Sequence, residues 1–371
     1  MDDLSPRARA WATTMRGHPG SGLVRAHADS AASLGIEAPL GRVAREERER
    51  ALLSPGATFA HGAGNRARPE QPDIERTCFE RDRDRIVHSA VFRRLAGKTQ
   101  VVVHPADHER TRLTHALEVA QVATSIARGV GANVALAEAI ALGHDCGHGP
   151  GGHASEDAFD AFLPGGYDHG PWGADVVLTP LNLCLETLDG IRNHSWSRPA
   201  PATVEGEIAS WADRIAYCAH DLEDAVYAGI VSLADLPPEV VEVAGATRRE
   251  QLATFIRSVI RTAASTGQVG MDGETASALA ALRSFNYVRI YTRPESVAQS
   301  DAVVAVLRAL VEYYLADPGR LPGYAGEEGD ALVRAVVAYV GGMTDRFAFD
   351  TAVERLGYDP ARLPRGIGRG R

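Results

Sequence analysis

Apolar residues recur at three- and four-residue steps along most of this chain, the spacing of amphipathic helices, with no βαβ alternation and no internal repeat. Ile86, Val87, Val91, Phe92 and Leu95 predict a helical stretch after Phe79. Leu117, Val119, Val122, Ala123 and Ile126 predict a helix over 110–128, with those side chains facing inward and His115 on the core side, one turn from Val119. Val134, Ala135, Ala139, Ile140 and Leu142 predict a buried helix over 133–142. Short helices are expected over 157–162 and 186–196, and a loop with one short helix between them over 167–182. Ile208, Trp211, Ala212, Ile215, Ala219, Leu222 and Val226 mark a long helix over 205–230, and further helices separated by Gly and Pro breaks follow. Lys98-Thr99-Gln100-Val101-Val102-Val103 reads as a short strand or hairpin arm, and 61–73 as an exposed loop. The expected fold is all-α: a helical bundle with a C-terminal helical extension. Three regions are expected: a loosely ordered N-terminal arm over 1–74, a core over 75–235, and a C-terminal helical region over 236–371 ending in a basic, disordered tail.

Polar groups break the pattern at two places. The stretch from Glu138 to Glu156 ends its helix in a glycine-rich loop that holds His144 and Asp145 side by side, then His148, His153 and Glu156. An ionised Asp at the end of an apolar helix is costly unless it is compensated, and a divalent metal does so economically. In the second place, Asp213, Tyr217, His220 and Asp224 recur at helical steps and predict one polar stripe, flanked by Asp221. Together His115, His144, Asp145 and Asp213 make a mixed nitrogen and oxygen donor set on three predicted helices. Without thiolates such a set suits a catalytic rather than a structural site, with Mn²⁺ or Mg²⁺ first and Fe, Co, Ni or Zn as further candidates. The run Gly147-His148-Gly149-Pro150-Gly151-Gly152 has G-x-G-x-x-G spacing but follows a helix, not a strand, so it does not read as a dinucleotide turn.

Composition narrows the class. The 371 residues carry a formal charge of −9, so a nonspecific nucleic-acid coat is not indicated. No apolar run reaches membrane-span length and the first residues show no signal-peptide core, so a cytoplasmic protein without membrane contact is expected. Cysteines 78, 146, 184 and 218 form no CxxC pair, as for reduced thiols. Lys98 is the only lysine, and most of the arginines that crowd 81–94, beside Asp82 and Asp84, read as an ordinary charged helix surface.

The segments 81–101, 110–123, 137–156, 181–194 and 205–225 resemble the HD-domain phosphohydrolases. RTRLTH, HDxGHxPxxHxxE and ADxIAYxxHDxxD resemble more narrowly the branch of deoxynucleoside triphosphate triphosphohydrolases, the dGTPase-like proteins. The resemblance implies an HD metal-dependent core over 75–235, in which His115, His144, Asp145 and Asp213 match the metal ligands. It implies that His153 and Glu156 handle protons during water attack on the α-phosphorus, releasing deoxynucleoside and intact triphosphate. His148, His169, Arg112 and Arg214 match phosphate contacts, Tyr217 and Asp221 match sugar selectors, and Gln100 matches a residue near base and sugar. A homo-oligomer and a possible allosteric nucleotide are further implications. The alternatives are an HD phosphohydrolase acting on a monophosphate, a cyclic nucleotide or an alarmone, and a nucleotide sensor with little turnover. Two departures stand out. Gly170, Pro171 and Trp172 replace polar residues of the branch in a loop expected to border the pocket, and Gly151-Gly152 is expected to loosen its own loop.

Overall fold

The computed structural model describes residues 4–101, 103, 105 and 108–366. It divides into two compact units, 1–40 and 41–371. The first holds helix α1 (Pro6–Thr14) and a two-stranded antiparallel ribbon, β1 (His18–Pro19) with β2 (Val24–Arg25). The second is built from α2 (Arg42–Leu52), α3 (Cys78–His88), α4 (Ala90–Arg94), α5 (Arg112–Val130) and α6 (Val134–Gly143). Then come α7 (Ala154–Asp160), α8 (His169–Trp172), α9 (Leu185–Arg192) and α10 (Val204–Tyr227). The C-terminal part comprises α11 (Pro238–Ala244), α12 (Arg248–Thr266), α13 (Gly273–Asn286), α14 (Pro294–Ala316), α15 (Gly329–Gly341) and α16 (Asp345–Leu356). The protein is all-α, as its periodicity predicts.

Helix α6 is the centre of the larger unit. Leu136, Ala137, Ala139, Ile140, Ala141, Leu142 and Gly143 are all buried, so the helix has almost no solvent face. Asn133 caps it by accepting from the Leu136 amide at 3.2 Å. Small side chains let its neighbours come close: a Cβ added at Gly190 on α9 would meet Ile140 Cδ1 at 2.4 Å. Helices α5 and α10 pack on α6 and on each other, with α3 and α9 completing the layer. A second apolar cluster joins α7 to α14, α15 and α16 around Phe159, Val303, Leu307, Val337 and Phe349. The two clusters meet at the glycine turn after α6, which places that turn between the bundle and the C-terminal helices.

Several local expectations change in three dimensions. Leu117, expected inside, is 50% exposed, while its periodic partners Val119, Val122 and Ile126 are fully buried. Asp82 is no surface charge: it is fully buried and pairs at 2.6 Å with Arg66, which reaches inward from the loop expected to be exposed. Asp82 also accepts from the Cys184 amide and the Thr187 hydroxyl, both at 2.8 Å, so the charge is fully served by donors. Of the expected strand over 98–103, Thr99 forms an isolated antiparallel bridge with Thr111, and Val102 lies outside the described residues. Residues 367–371 of the basic tail also lie outside them.

The α6–α9 contact yields a stability test. Gly190→Ala forces the new methyl against Ile140 and is expected to cost about 1–3 kcal/mol by overpacking. Thermal melts should show a loss of at least a few degrees. Gly165→Ala, where a Cβ meets nothing within 4 Å, should leave the melting temperature unchanged.

Candidate metal centre and active site

Two imidazoles and two carboxylates converge where α5, α6 and α10 meet. His115 comes from the second turn of α5, His144 caps the C-terminus of α6 with Asp145 next to it, and Asp213 lies on α10. Donor atoms of His115, His144 and Asp145 lie within 4.8 Å of one another. Asp213 Oδ1 is 3.1 Å from His115 Nε2 and 3.6 Å from His144 Nε2. His144 Nε2 is 3.4 Å from Asp145 Oδ1.

The donor set fits a divalent cation. His144 Nδ1 donates to the Ala141 carbonyl at 2.6 Å, which leaves the lone pair on Nε2. That Nε2 is buried without a hydrogen-bond partner, an arrangement a metal would satisfy. Both carboxylates are held in the charged form. Burial opposes ionisation of Asp145, but Arg112, His144 and His148 hold its pKa well below the ordinary range. Burial also opposes ionisation of Asp213, and His115 and His144 reverse it. The His115 pKa is raised: burial works against the charge and Asp213 outweighs it.

A second group, His148, His153, Glu156 and His169, lies beside the first and also has its donor atoms within 4.8 Å of one another. Its hydrogens can be placed by elimination. His194 Nδ1 donates to the Ile191 carbonyl at 2.8 Å, so its Nε2 is an acceptor. His169 Nε2 therefore donates to His194 at 3.0 Å, while His169 Nδ1 donates to Glu156 at 2.5 Å. With both nitrogens donating, His169 is an imidazolium. Burial opposes that charge and Glu156 raises the His169 pKa, whereas burial and the neighbouring His169 charge push His194 down to about 3. Glu156 is held strongly ionised: burial opposes it, and His153 and His169 prevail. His148 stacks on His169 with ring centroids 3.8 Å apart, and burial together with Arg112 keeps it neutral. His169 and Glu156 are thus committed to each other, so the first group is the better cation site. His153 differs from its neighbours: its side chain is 71% exposed, and Nδ1 lies 3.2 Å from Glu156.

Both groups open into one cleft of about 430 Å³. Every proposed substrate contact lines it: Gln100, Arg112, His148, His169, Arg214, Tyr217 and Asp221. Arg112 is fully buried and donates to Asp145 at 2.7 Å, while its Nε and Nη2 have no partner. Arg214 lies over the Trp196 ring, 3.8 Å from its centroid. The Tyr217 hydroxyl accepts from Arg283 at 2.9 Å. Asp221 accepts from the Tyr291 hydroxyl at 2.5 Å through one oxygen, and its other oxygen is buried and unpartnered. Burial pushes the Asp221 pKa up to about 7, against the pull of Tyr291 and His115. Gln100 Oε1 is buried without a partner as well.

The expected polar stripe of α10 divides. Asp213, Tyr217 and Asp221 face the cleft, whereas His220 and Asp224 turn to the other side, where Asp224 accepts from the Arg110 amide at 2.9 Å. Trp172, expected near the pocket, is buried in the C-terminal apolar cluster, and of its loop only His169 reaches the cleft. Gly151-Gly152 is a tight turn, not a loose one: both residues have positive φ, and Cβ atoms there would meet Val303 Cγ1 at 2.4 Å and Arg112 Nη2 at 2.5 Å. His194, Arg283 and Tyr291 were not singled out by the sequence. His194 stands two residues past the end of α9 and reads as an ordinary loop histidine, and Tyr291 meets its partner across 70 residues of chain.

The HD domain family matches residues 112–218, and the phosphohydrolase-associated domain family matches residues 269–354. A deoxyguanosinetriphosphate triphosphohydrolase-like protein of Caldanaerobacter subterraneus subsp. tengcongensis is 39% identical over 312 residues, covering 82% of this chain and 92% of its own. The protein of that name from Clostridium perfringens (strain SM101 / Type A) is 39% identical over 322 residues, covering 81% and 93%. That from Desulfatibacillum aliphaticivorans is 38% identical over 332 residues, covering 82% and 94%. Among solved structures, a hypothetical protein from Aquifex aeolicus aligns with a TM-score of 0.46 at 17% identity, covering 74% of this chain and 68% of that one. Among the described residues no helix is long and apolar enough to cross a membrane. With a donor set in its cleft that could hold a metal and relatives matched over most of their length, the chain belongs to the deoxyguanosinetriphosphate triphosphohydrolase-like family of HD-domain phosphohydrolases, hydrolases of nucleotides that depend on a divalent metal.

Proposed function

We propose that the cleft hydrolyses a deoxynucleoside triphosphate, dGTP or a close analogue, at its α-phosphorus and releases deoxynucleoside and intact triphosphate. The observation that carries this reading is the distribution of unsatisfied buried atoms. Arg112 Nε and Nη2 stand beside the metal-ligating residues, and Asp221 Oδ1 and Gln100 Oε1 line the same cleft. Buried polar atoms without partners are costly, so a cleft that collects them is built for a ligand that satisfies them. Donors suit phosphate and acceptors suit a sugar hydroxyl. The relatives' names point to the same substrate class.

His115, His144, Asp145 and Asp213 would hold the metal, which Mn²⁺ or Mg²⁺ suits best. When bound, the ion supplies Lewis acidity and lowers the pKa of bound water. The chain's own residues do the rest. Arg112 has two donors free for an α-phosphate oxygen, and fork geometry suits that contact. The His169 imidazolium and Arg214 add positive charge where a polyphosphate would lie. Tyr217, braced by Arg283, crowds a 2′-hydroxyl, and Asp221 accepts from a 3′-hydroxyl. A new bond forms from water oxygen to the α-phosphorus while the bond from phosphorus to O5′ breaks. One proton leaves the water and one is gained by O5′. His153, exposed in the cleft and oriented by Glu156, is the group placed to pass them.

Product analysis tests the reading. Purified protein with Mn²⁺ and each dNTP should yield deoxynucleoside and triphosphate, separated by ion exchange. His153→Ala should lower the rate by about 10²–10⁴-fold, the usual contribution of a general acid–base group. Monophosphate with pyrophosphate, or stepwise phosphate release, would overturn the α-phosphorus assignment.

Asp221 makes a second test. Its folded pKa of about 7 lies above the unfolded value of 3.8. Its favourable contribution is therefore complete below about pH 4 and is lost as pH rises through 7. Relative to wild type, Asp221→Asn should gain on the order of 1–4 kcal/mol between pH 5 and 8 in denaturant melts. Over the same window the wild-type KM should fall as the carboxylate forms, and that fall should be absent in the variant.

A further inference from the structure

The turn that carries His148 and His153 is held by groups outside the catalytic set. Lys98, the chain's only lysine, is buried to 3% exposure just after α4. Its Nζ donates to two carbonyls: that of His148, at the start of the turn, and that of Gly341, at the end of α15, at 2.8 Å. The next residue continues the arrangement. Thr99 donates through its amide at 2.9 Å and its hydroxyl at 2.5 Å to one oxygen of Asp345, the first residue of α16. The other Asp345 oxygen accepts from the Gly151 amide at 2.8 Å. Asp345 is itself buried, at 6% exposure.

These bonds close a ring. The turn 148–152 is tied to residues 98–99 and to α15–α16, and those two are tied to each other. The Lys98 carbonyl also accepts from the amide of Arg112 at 3.2 Å, which fixes the start of α5 to the same ring. Packing seals it: Gly151 rests against Val303 of α14, and Gly152 against Arg112 and the Thr99 carbonyl. A lysine Nζ suits the junction because it is compact and its donors can face carbonyls that converge from different segments, which a planar guanidinium cannot do in the same space. That offers a physical reason for one lysine in a chain that otherwise relies on arginine.

We propose that Lys98 and Asp345 form a clasp through which the C-terminal helices hold the turn 148–152 in its working shape, so that both act as positioning residues for His148 and His153. This rests on the reading of those histidines given above. It makes the C-terminal part a component of the active site, since Gly341, Asp345 and Val303 all fall within the phosphohydrolase-associated match.

The experiment compares full-length Lys98→Met and Thr99→Val with Phe255→Leu. Thr99→Val removes a single hydroxyl and serves if Lys98→Met fails to fold. Phe255 is fully buried on α12, away from the ring, and controls for a general loss of stability. Amide hydrogen exchange is followed in peptides spanning 144–156, with kcat, KM and Mn²⁺ affinity measured alongside. The clasp predicts exchange in that peptide accelerated at least tenfold in the clasp variants. It also predicts a kcat loss of at least tenfold for Lys98→Met, with KM and Mn²⁺ affinity within threefold of wild type. The control, at a similar drop in melting temperature, keeps wild-type exchange and kcat. Unchanged exchange in a folded clasp variant overturns the proposal, as does a control that reproduces both effects. Absence of triphosphate release by the wild type would sink the substrate reading alone, because the exchange comparison needs no turnover.

Discussion

The structure depends on a concentration of buried charge at the end of its most buried helix. Helix α6 is apolar apart from Glu138, yet it delivers His144 and Asp145 into the interior, where Asp213 arrives from α10 and His115 from α5. Ionised carboxylates in such a place are tolerable only when opposite charge or hydrogen-bond donors face them. Arg112 supplies one guanidinium to Asp145, and His115 supplies one imidazole to Asp213. Among the atoms left unserved there is Nε2 of His144, within 3.6 Å of carboxylate oxygens of Asp145 and Asp213. A divalent cation would complete that balance, and the three helices pack closely enough to keep the donors within reach of one.

The neighbouring histidine cluster follows from the same logic. His169 is charged because it lies between Glu156 and a neutral His194, and His148 is neutral because it is buried beside the Arg112 and His169 charges. Two stacked imidazoles thus have different protonation states set by their surroundings. His153, the exposed member, is the one left free to exchange protons. On the proposed reading the cleft would be graded, from a cation site through fixed positive charge to a proton carrier at His153, with acceptors for a sugar elsewhere on its wall.

Much of this was legible in the sequence because it is local or periodic. The buried helix that ends at His144, the inward side of His115 and the long helix bearing Asp213 all follow from apolar spacing. The division of the α10 stripe was not legible: Asp213 and Asp224 share a helical period, but which flank meets the cleft is decided by neighbours on other helices. Leu117 shows the converse, an apolar side chain at a plausible register that packing leaves in solvent. Gly151 and Gly152 looked permissive, yet positive φ and close contacts make them part of a tight turn. Arg66 with Asp82, Asp221 with Tyr291, and Lys98 with Gly341 join segments far apart in the chain, and no spacing rule reports such pairs.

A metal centre and a self-satisfied polar core make opposite demands on the four-residue donor set. Titration of the metal-stripped protein with Mn²⁺, followed by calorimetry and by the loss of free-ion electron paramagnetic resonance signal, distinguishes them directly. A metal centre here binds Mn²⁺ saturably, and binding weakens by well over tenfold in Asp213→Ala and in His144→Ala, since even changes to groups behind metal ligands cost about 10–100-fold. Mn²⁺ affinity that is the same in wild type and both variants would contradict a metal centre at these residues.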